Sequence, residues 1–255
     1  MLKNQICDSV RAAVAQILAD ESFRRYTGSQ CERLSGELSQ RFSASDVLLF
    51  SSGTAALEVA LRAAGVGRGD EVLLSAYDYP GNFWAIERVG ARPLLIDVEP
   101  NGWRIAAGRL AQAWEDAPAP ALKAMVASHL HGQLQDLHAI RDWCEQHGLI
   151  LIEDACQAIG ASLDGKAIGA LGHASILSFG GGKVLSSGRG GALLTSRADL
   201  AQRARLCAGA GSGPYGLSEL QAAVVAAQLP WLNAITDCCR QFFTQLAERL
   251  LDRPN

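Results

Sequence analysis

The sequence predicts an α/β fold: three layers, α/β/α, built on a mostly parallel mixed sheet. Three observations predict it. Short apolar runs alternate with stretches of helical apolar spacing from residue 47 onward. The run at 149–152 is apolar without interruption, as in strands covered by helices on both faces. Ser52, Tyr77 to Tyr79, His129, Asp154 and the loop before Lys183 all fall at or near carboxyl ends of predicted strands, where open α/β sheets collect ligands.

The elements follow in order. Ile6, Val10, Val14, Ile17 and Leu18 give a helix over 5–19, and Leu34 and Leu38 centre a second over 31–42, with Tyr26-Thr27-Gly28-Ser29 breaking the two. A strand at 47–50 leads through Ser51-Ser52-Gly53-Thr54 into a helix over 55–64. Strands at 71–75, 93–97 and 123–128 then alternate with helices at 80–89, 106–114 and 137–147. The strand at 149–152 ends in Glu153-Asp154. Apolar runs at 174–177 and 192–195 flank the glycine clusters Gly180-Gly181-Gly182 and Gly188-Arg189-Gly190-Gly191. Helical patterns at 199–207, 218–229 and 232–251 close the chain, and no linker divides it cleanly.

Composition narrows the function. The chain has 255 residues, 49% hydrophobic and 19% charged, which describes a soluble protein with a sizeable core. A formal net charge of -3 without a Lys/Arg run leaves no footprint for nucleic acid, and no apolar stretch reaches membrane-spanning length. Seven cysteines without CxxC spacing fit reduced thiols in a cytoplasmic protein, and the first 20 residues are too polar for a signal peptide. Partners are therefore expected to be small molecules or other protein chains.

Several residues could carry chemistry. Lys183 stands among glycines that let backbone approach a ligand closely, so it is either presented to a bound group or a plain surface-loop lysine. The turn Ser52-Gly53-Thr54 before a helix offers backbone N–H groups to an anion, or is a simple helix cap. Asp154, where a strand empties into a cleft, either caps the next helix or holds a proton on a ring nitrogen, as an Asp does in pyridoxal phosphate enzymes. His129 and His131 face one way on a strand, but Asp136 and Glu153 stand at no recognised metal-ligand spacing, so no metal is expected. Gly211 to Gly216 matches GxGxxG but lacks a preceding strand; Lys183 lacks the first glycine of a P-loop; no GxSxG occurs.

The order of these blocks resembles the DegT/DnrJ/StrS family of sugar aminotransferases, of aspartate aminotransferase fold type. The resemblance runs from about Gly28 to Leu232 and rests on Ser52-Gly53-Thr54-Ala55-Ala56-Leu57, Gly69-Asp70-Glu71-Val72, Glu153-Asp154-Ala155-Cys156-Gln157, Ser178-Phe179 with Lys183, and Ser218-Glu219-Leu220-Gln221-Ala222-Ala223. It implies pyridoxal 5′-phosphate as cofactor. Lys183 then corresponds to the lysine that forms the internal aldimine and moves the proton, and Asp154 to the partner of the pyridine nitrogen. Gln157 corresponds to the residue near the ring hydroxyl, and Tyr79 to the aromatic stacked on the ring. Gly53, Thr54, Ala55 and Ser178 correspond to phosphate-binding positions. The implied reaction takes an amino group from a donor, usually glutamate, to a keto-sugar carried on a nucleotide, in a homodimer whose sites borrow residues across the interface.

The chain departs from the family in places. Pro214-Tyr215-Gly216 stands where the family has Asn-x-Arg, and Gly180 and Gly181 replace bulkier residues, which should widen the pocket. The resemblance also implies that residues 1–230 form the cofactor-binding large domain and 231–255 the start of a C-terminal helical segment whose small domain is largely absent. The rivals are accordingly a cofactor binder that transfers nothing, and a regulatory or scaffold protein on the same fold.

Overall fold

The computed structural model describes residues 2–26, 28–116, 121–209 and 213–251, so Thr27 of the first break, Gly211 and Ser212 of the GxGxxG match, and the last four residues lie outside the described residues. The chain order is α1 (Leu2–Ala19), α2 (Ser29–Phe42), β1 (Asp46–Phe50), α3 (Gly53–Ala63), β2 (Glu71–Ser75), α4 (Pro80–Arg88) and β3 (Arg92–Ile96). It continues with α5 (Leu110–Asp116), β4 (Leu122–Ser128), α6 (Leu137–Gln146) and β5 (Ile150–Asp154). A small hairpin, β6 (Ser162–Leu163) and β7 (Lys166–Ala167), precedes β8 (Ala174–Ser178), β9 (Gly191–Thr195), α7 (Ala198–Ala208), α8 (Glu219–Gln228) and α9 (Leu232–Leu251).

Among the described residues seven strands form one sheet in the order β1-β9-β8-β5-β4-β2-β3. Strand β9 runs antiparallel to both its neighbours, and the remaining pairs are parallel. The mixed, mostly parallel sheet read from the sequence is thus the sheet observed. Because successive side chains point to opposite faces, each strand feeds two cores. Leu73, Met125, Ala127, Leu151, Leu177 and Leu194 pack on one face with α2, α6 and α8. Val72, Leu74, Val126, Ile152, Ile176 and Leu193 pack on the other with α3 and α4. Both faces are dry, which is why strand β5 opens on the uninterrupted apolar run Ile150-Leu151-Ile152.

Helix starts are set by side chains. Ser52 caps α3, Asp136 caps α6, and Ser218 with Gln221 forms a reciprocal capping box on α8. Glu219, fully buried, reaches back to accept from the Gln30 and Cys31 amides and so caps α2 from a distant segment. The Ser-Glu-Leu-Gln block therefore holds α2 and α8 together. The helix expected over 106–114 begins as a short 3-10 turn at Ala107–Arg109 and becomes α-helical at Leu110. Strand β5 extends through Asp154, two residues past the expected end of the apolar run.

Parallel strands β2, β4, β5 and β8 all deliver their carboxyl ends to one edge, where Ser75, Ser128, Asp154 and Ser178 lie. The start of β9 comes to the same edge, with Gly191 paired to Ser178 and Phe50. A Cβ on Gly191 would lie 2.5 Å from the Ser52 carbonyl carbon, so only glycine lets β9 pass this close to the cap of α3.

Candidate active site

A pocket of about 360 Å³ opens at this edge. It is lined by Gly53, Thr54, Tyr79, Asp154, Gln157, Ser178 and Lys183, joined by Ser52, Asn82, Cys156 and Arg189. Every site residue singled out from the sequence lies here except Ala55. That residue sits one position deeper in α3, and its N–H donates to Ser52 Oγ at 3.0 Å. A larger cleft of about 800 Å³ runs between α2, β1 and α7, but backbone and apolar side chains dominate its lining. Convergent polar groups place the chemistry better than volume does.

Each wall has a local cause. The N-terminus of α3 points into the pocket because β1 ends at Phe50 and Ser52 caps the helix immediately afterwards. Ser178, the last residue of β8, accepts from the Gly180 N–H at 3.3 Å, leaving its hydroxyl hydrogen for a ligand. Lys183 follows Gly182, whose φ of +80° turns the loop back, and the Lys183 N–H donates to the Gly180 carbonyl at 3.2 Å. Among the described residues no carboxylate pairs with the half-buried Lys183 amine.

Tyr79 precedes Pro80, which sits at the first position of α4, and it is 51% exposed, so its ring has area to offer a ligand. Gly81 makes this placement possible. A Cβ there would lie 2.5 Å from Tyr79 Cε1 and 2.7 Å from Thr54 Oγ1, two groups that line the same pocket. By contrast, Cβ atoms on Gly180 and Gly181 would meet nothing closer than 3.4 Å. A Cβ has room at either position, and the glycines leave that wall open, as the sequence reading expects.

Asp154 is 6% exposed and held from two sides. Its Oδ1 accepts from the Cys156 N–H at 2.9 Å, and its Oδ2 accepts from Asn82 Nδ2 at 2.9 Å. The Cys156 thiol beside it is pushed well above its ordinary range by burial and by the Asp154 charge, so it stays protonated. Gln157 Oε1 accepts from the His131 N–H at 3.0 Å, so the end of the amide available to a ligand is its NH2.

Strand alternation separates Glu153 from Asp154. Glu153 points to the opposite face of the sheet, where it is fully buried. It accepts from the amides of Gly169, Leu171 and Gly172, from Ser175 Oγ, and from His129 Nε2. Burial raises this carboxyl, yet the His129 and backbone hydrogen bonds outweigh it and hold the group below the ordinary glutamate range. His129 Nδ1 in turn accepts from the Gln135 N–H. Both ring nitrogens of His129 are thus committed to the scaffold. The Pro214-Tyr215-Gly216 segment is tied to α3 and β1: Tyr215 Oη donates to Glu58 at 2.9 Å, and its carbonyl accepts from the Ser51 N–H at 2.6 Å.

Sequence reasoning missed Asn82, Ser128 and Arg189. Asn82 stands in the first turn of α4, and Ser128 is the direct neighbour of Asp154 in the β4–β5 register.

Residues 4–255 match the DegT/DnrJ/EryC1/StrS aminotransferase family. The pleiotropic regulatory protein of Geobacillus stearothermophilus is 34% identical over 89% of this chain and 64% of its own length. A UDP-N-acetyl-3-dehydro-alpha-D-glucosamine 3-aminotransferase of Acidithiobacillus ferrooxidans is 32% identical over 96% of this chain and 68% of its own length. The crystal structure of NtdA from Bacillus subtilis with bound cofactor PMP superposes with a TM-score of 0.84 at 25% identity, covering 96% of this chain and 58% of that one. The chain spans 58–68% of the length of these three proteins. With fold, site blocks and the whole matched span in agreement, the chain belongs to the DegT/DnrJ/EryC1/StrS aminotransferase family.

Proposed function

We propose that this chain is the cofactor-holding part of an aminotransferase that uses pyridoxal 5′-phosphate and moves an amino group from an amino acid, glutamate in the simplest case, to a keto-sugar carried on a nucleotide. The observation that carries the reading is the convergence of Lys183, Asp154, Tyr79 and the start of α3 on one pocket. The residues fit the group feature by feature. A phosphate suits the N-terminus of α3 with the Ser178 hydroxyl, a flat conjugated ring suits Tyr79, a basic ring nitrogen suits Asp154, and an aldehyde suits the Lys183 amine. When bound, such a cofactor supplies an electron sink for breaking bonds next to an amine.

The chain's own residues do the rest. Asp154, fixed by Asn82 and the Cys156 N–H, keeps a proton on the ring nitrogen. Lys183 anchors the group through its amine and afterwards shuttles a proton at the substrate carbon. Arg189, on the pocket wall, presents a cation to the carboxylate of an amino acid donor. The reading includes a homodimer, tested by the mass of the protein in solution.

Purified protein incubated with pyridoxal phosphate should turn yellow, lose the colour in Lys183→Ala, and bleach on addition of glutamate. A second reading, a cofactor-holding regulator without transfer, is favoured by the relative named a pleiotropic regulatory protein. Colour that glutamate leaves unchanged would support that reading, and protein that stays colourless would contradict both.

A further inference from the structure

Asp78 takes no part in the site so far, yet its carboxyl group meshes with the one on Asp154. It lies on the turn between β2 and α4. Its Oδ1 accepts from the Tyr79 N–H at 2.6 Å and from Asn82 Nδ2 at 3.0 Å. Its Oδ2 lies 2.9 Å from Ser128 Oγ. The same Asn82 nitrogen is 2.9 Å from Asp154 Oδ2 and 3.1 Å from Ser128 Oγ, and Ser128 Oγ is 3.5 Å from Asp154 Oδ2. Two carboxyl groups are thus bridged by one amide nitrogen and one hydroxyl.

The supply of hydrogens bears on how the cluster is charged. The Asn82 amide has two hydrogens and can serve both aspartates, whereas the Ser128 hydroxyl has one and faces a carboxyl oxygen on either side. If both acids are ionised, Ser128 satisfies one of them and turns a lone pair to the other. A hydrogen on Asp78 Oδ2 removes the conflict. Asp78 then donates to Ser128 Oγ, and Ser128 donates onward to Asp154 Oδ2, so the chain of donors runs in one direction.

We propose that Asp78 is a positioning residue that holds one proton beside Ser128, so that the Asp78–Asp154 pair carries a single negative charge and that charge stays on Asp154, facing the pocket. Two like charges bridged this closely do not both ionise readily. Burial, then the Asp154 charge, pushes the Asp78 carboxyl up to about 7, in keeping with the hydrogen count. The other titratable or charged groups around it are Cys156, two residues past the end of β5 and itself in reach of Lys183, and Tyr77 and Tyr79 on its own turn. His129, next to Ser128, is turned away to Glu153. The catalytic meaning of the pair rests on the proposed function, because it is the ring nitrogen that Asp154 would face; the shared proton does not.

The test is a carboxyl-carbon NMR titration of the full chain labelled at aspartate, before and after pyridoxal phosphate is added. Without cofactor, one aspartate should titrate near pH 7, and that transition should vanish in Asp78→Asn and move down toward the ordinary aspartate range in Asp154→Asn. Thermal unfolding of the wild-type chain gives a second readout should either variant fail to fold. A folded-state value raised from 3.8 to about 7 means the folded protein keeps a proton that the unfolded chain releases, so this contribution to stability is whole below 3.8 and declines as pH rises to about 7. Absence of any aspartate titrating above the ordinary range, or a neutral transition that Asp154→Asn leaves in place, would overturn the proposal. Protein that fails to bind cofactor but shows the neutral transition would sink the proposed function alone.

Discussion

Replacing Glu153 with alanine leaves a ring of donors facing an empty space. The fully buried carboxylate accepts from three backbone amides, Gly169 at 2.6 Å, Leu171 at 2.8 Å and Gly172 at 2.9 Å, and from Ser175 Oγ at 2.8 Å. The serine hydroxyl can rotate to another partner; the amides are fixed by the turn that leads into β8. Gly169 and Leu171 are buried, and each buried donor stripped of its acceptor costs about 1–3 kcal/mol. His129 also loses its partner at 3.3 Å, and removing one member of a buried pair costs about 3–5 kcal/mol, a range that overlaps the one from the amides and is the expected loss. For a chain of this size that lowers the melting midpoint by roughly 6–20 °C. Urea and thermal unfolding measure it directly. The wild-type contribution should also fade in acid: a carboxyl held below its ordinary 4.5 stabilises the fold above that value and ceases to as pH falls through the folded-state value. A Glu153→Ala protein within about 1 kcal/mol of wild type would refute the view that this carboxylate organises residues 169–172.

Two further substitutions address the pocket. Asp154→Asn should still take up pyridoxal phosphate but lose about 100-fold or more in transamination, because a neutral amide no longer favours a proton on the ring nitrogen; turnover within a few-fold of wild type would remove Asp154 from the role proposed. Tyr79→Ala should weaken cofactor retention by roughly fivefold, the worth of about 1 kcal/mol of ring stacking. Equilibrium dialysis showing unchanged affinity would mean that the ring does not cover the bound group.

The layers, most strands and most of the pocket could be read from the chain because their causes are local. Apolar strands, the Ser52 cap and the glycines around Lys183 each declare themselves within a few residues. What escaped depends on register or on distance. Ser128 reaches Asp154 only because β4 and β5 pair in one particular register, and Asn82 arrives through the orientation of α4. Glu153 and Asp154 look alike in sequence; the pleat sends one into the scaffold and the other into the pocket. The β6–β7 hairpin was legible and overlooked, since Asp164-Gly165, both at positive φ, is a strong two-residue turn signal. Ala55 was carried over by resemblance to the phosphate-binding positions, while the local cap occupies its amide.

Lys183 is the residue proposed to fix pyridoxal phosphate in this pocket. Borohydride reduction of cofactor-treated protein, followed by peptide mapping, should place a pyridoxyl group on Lys183 and on no other lysine. A label spread over Lys3, Lys123 and Lys166, or none at Lys183, would contradict it.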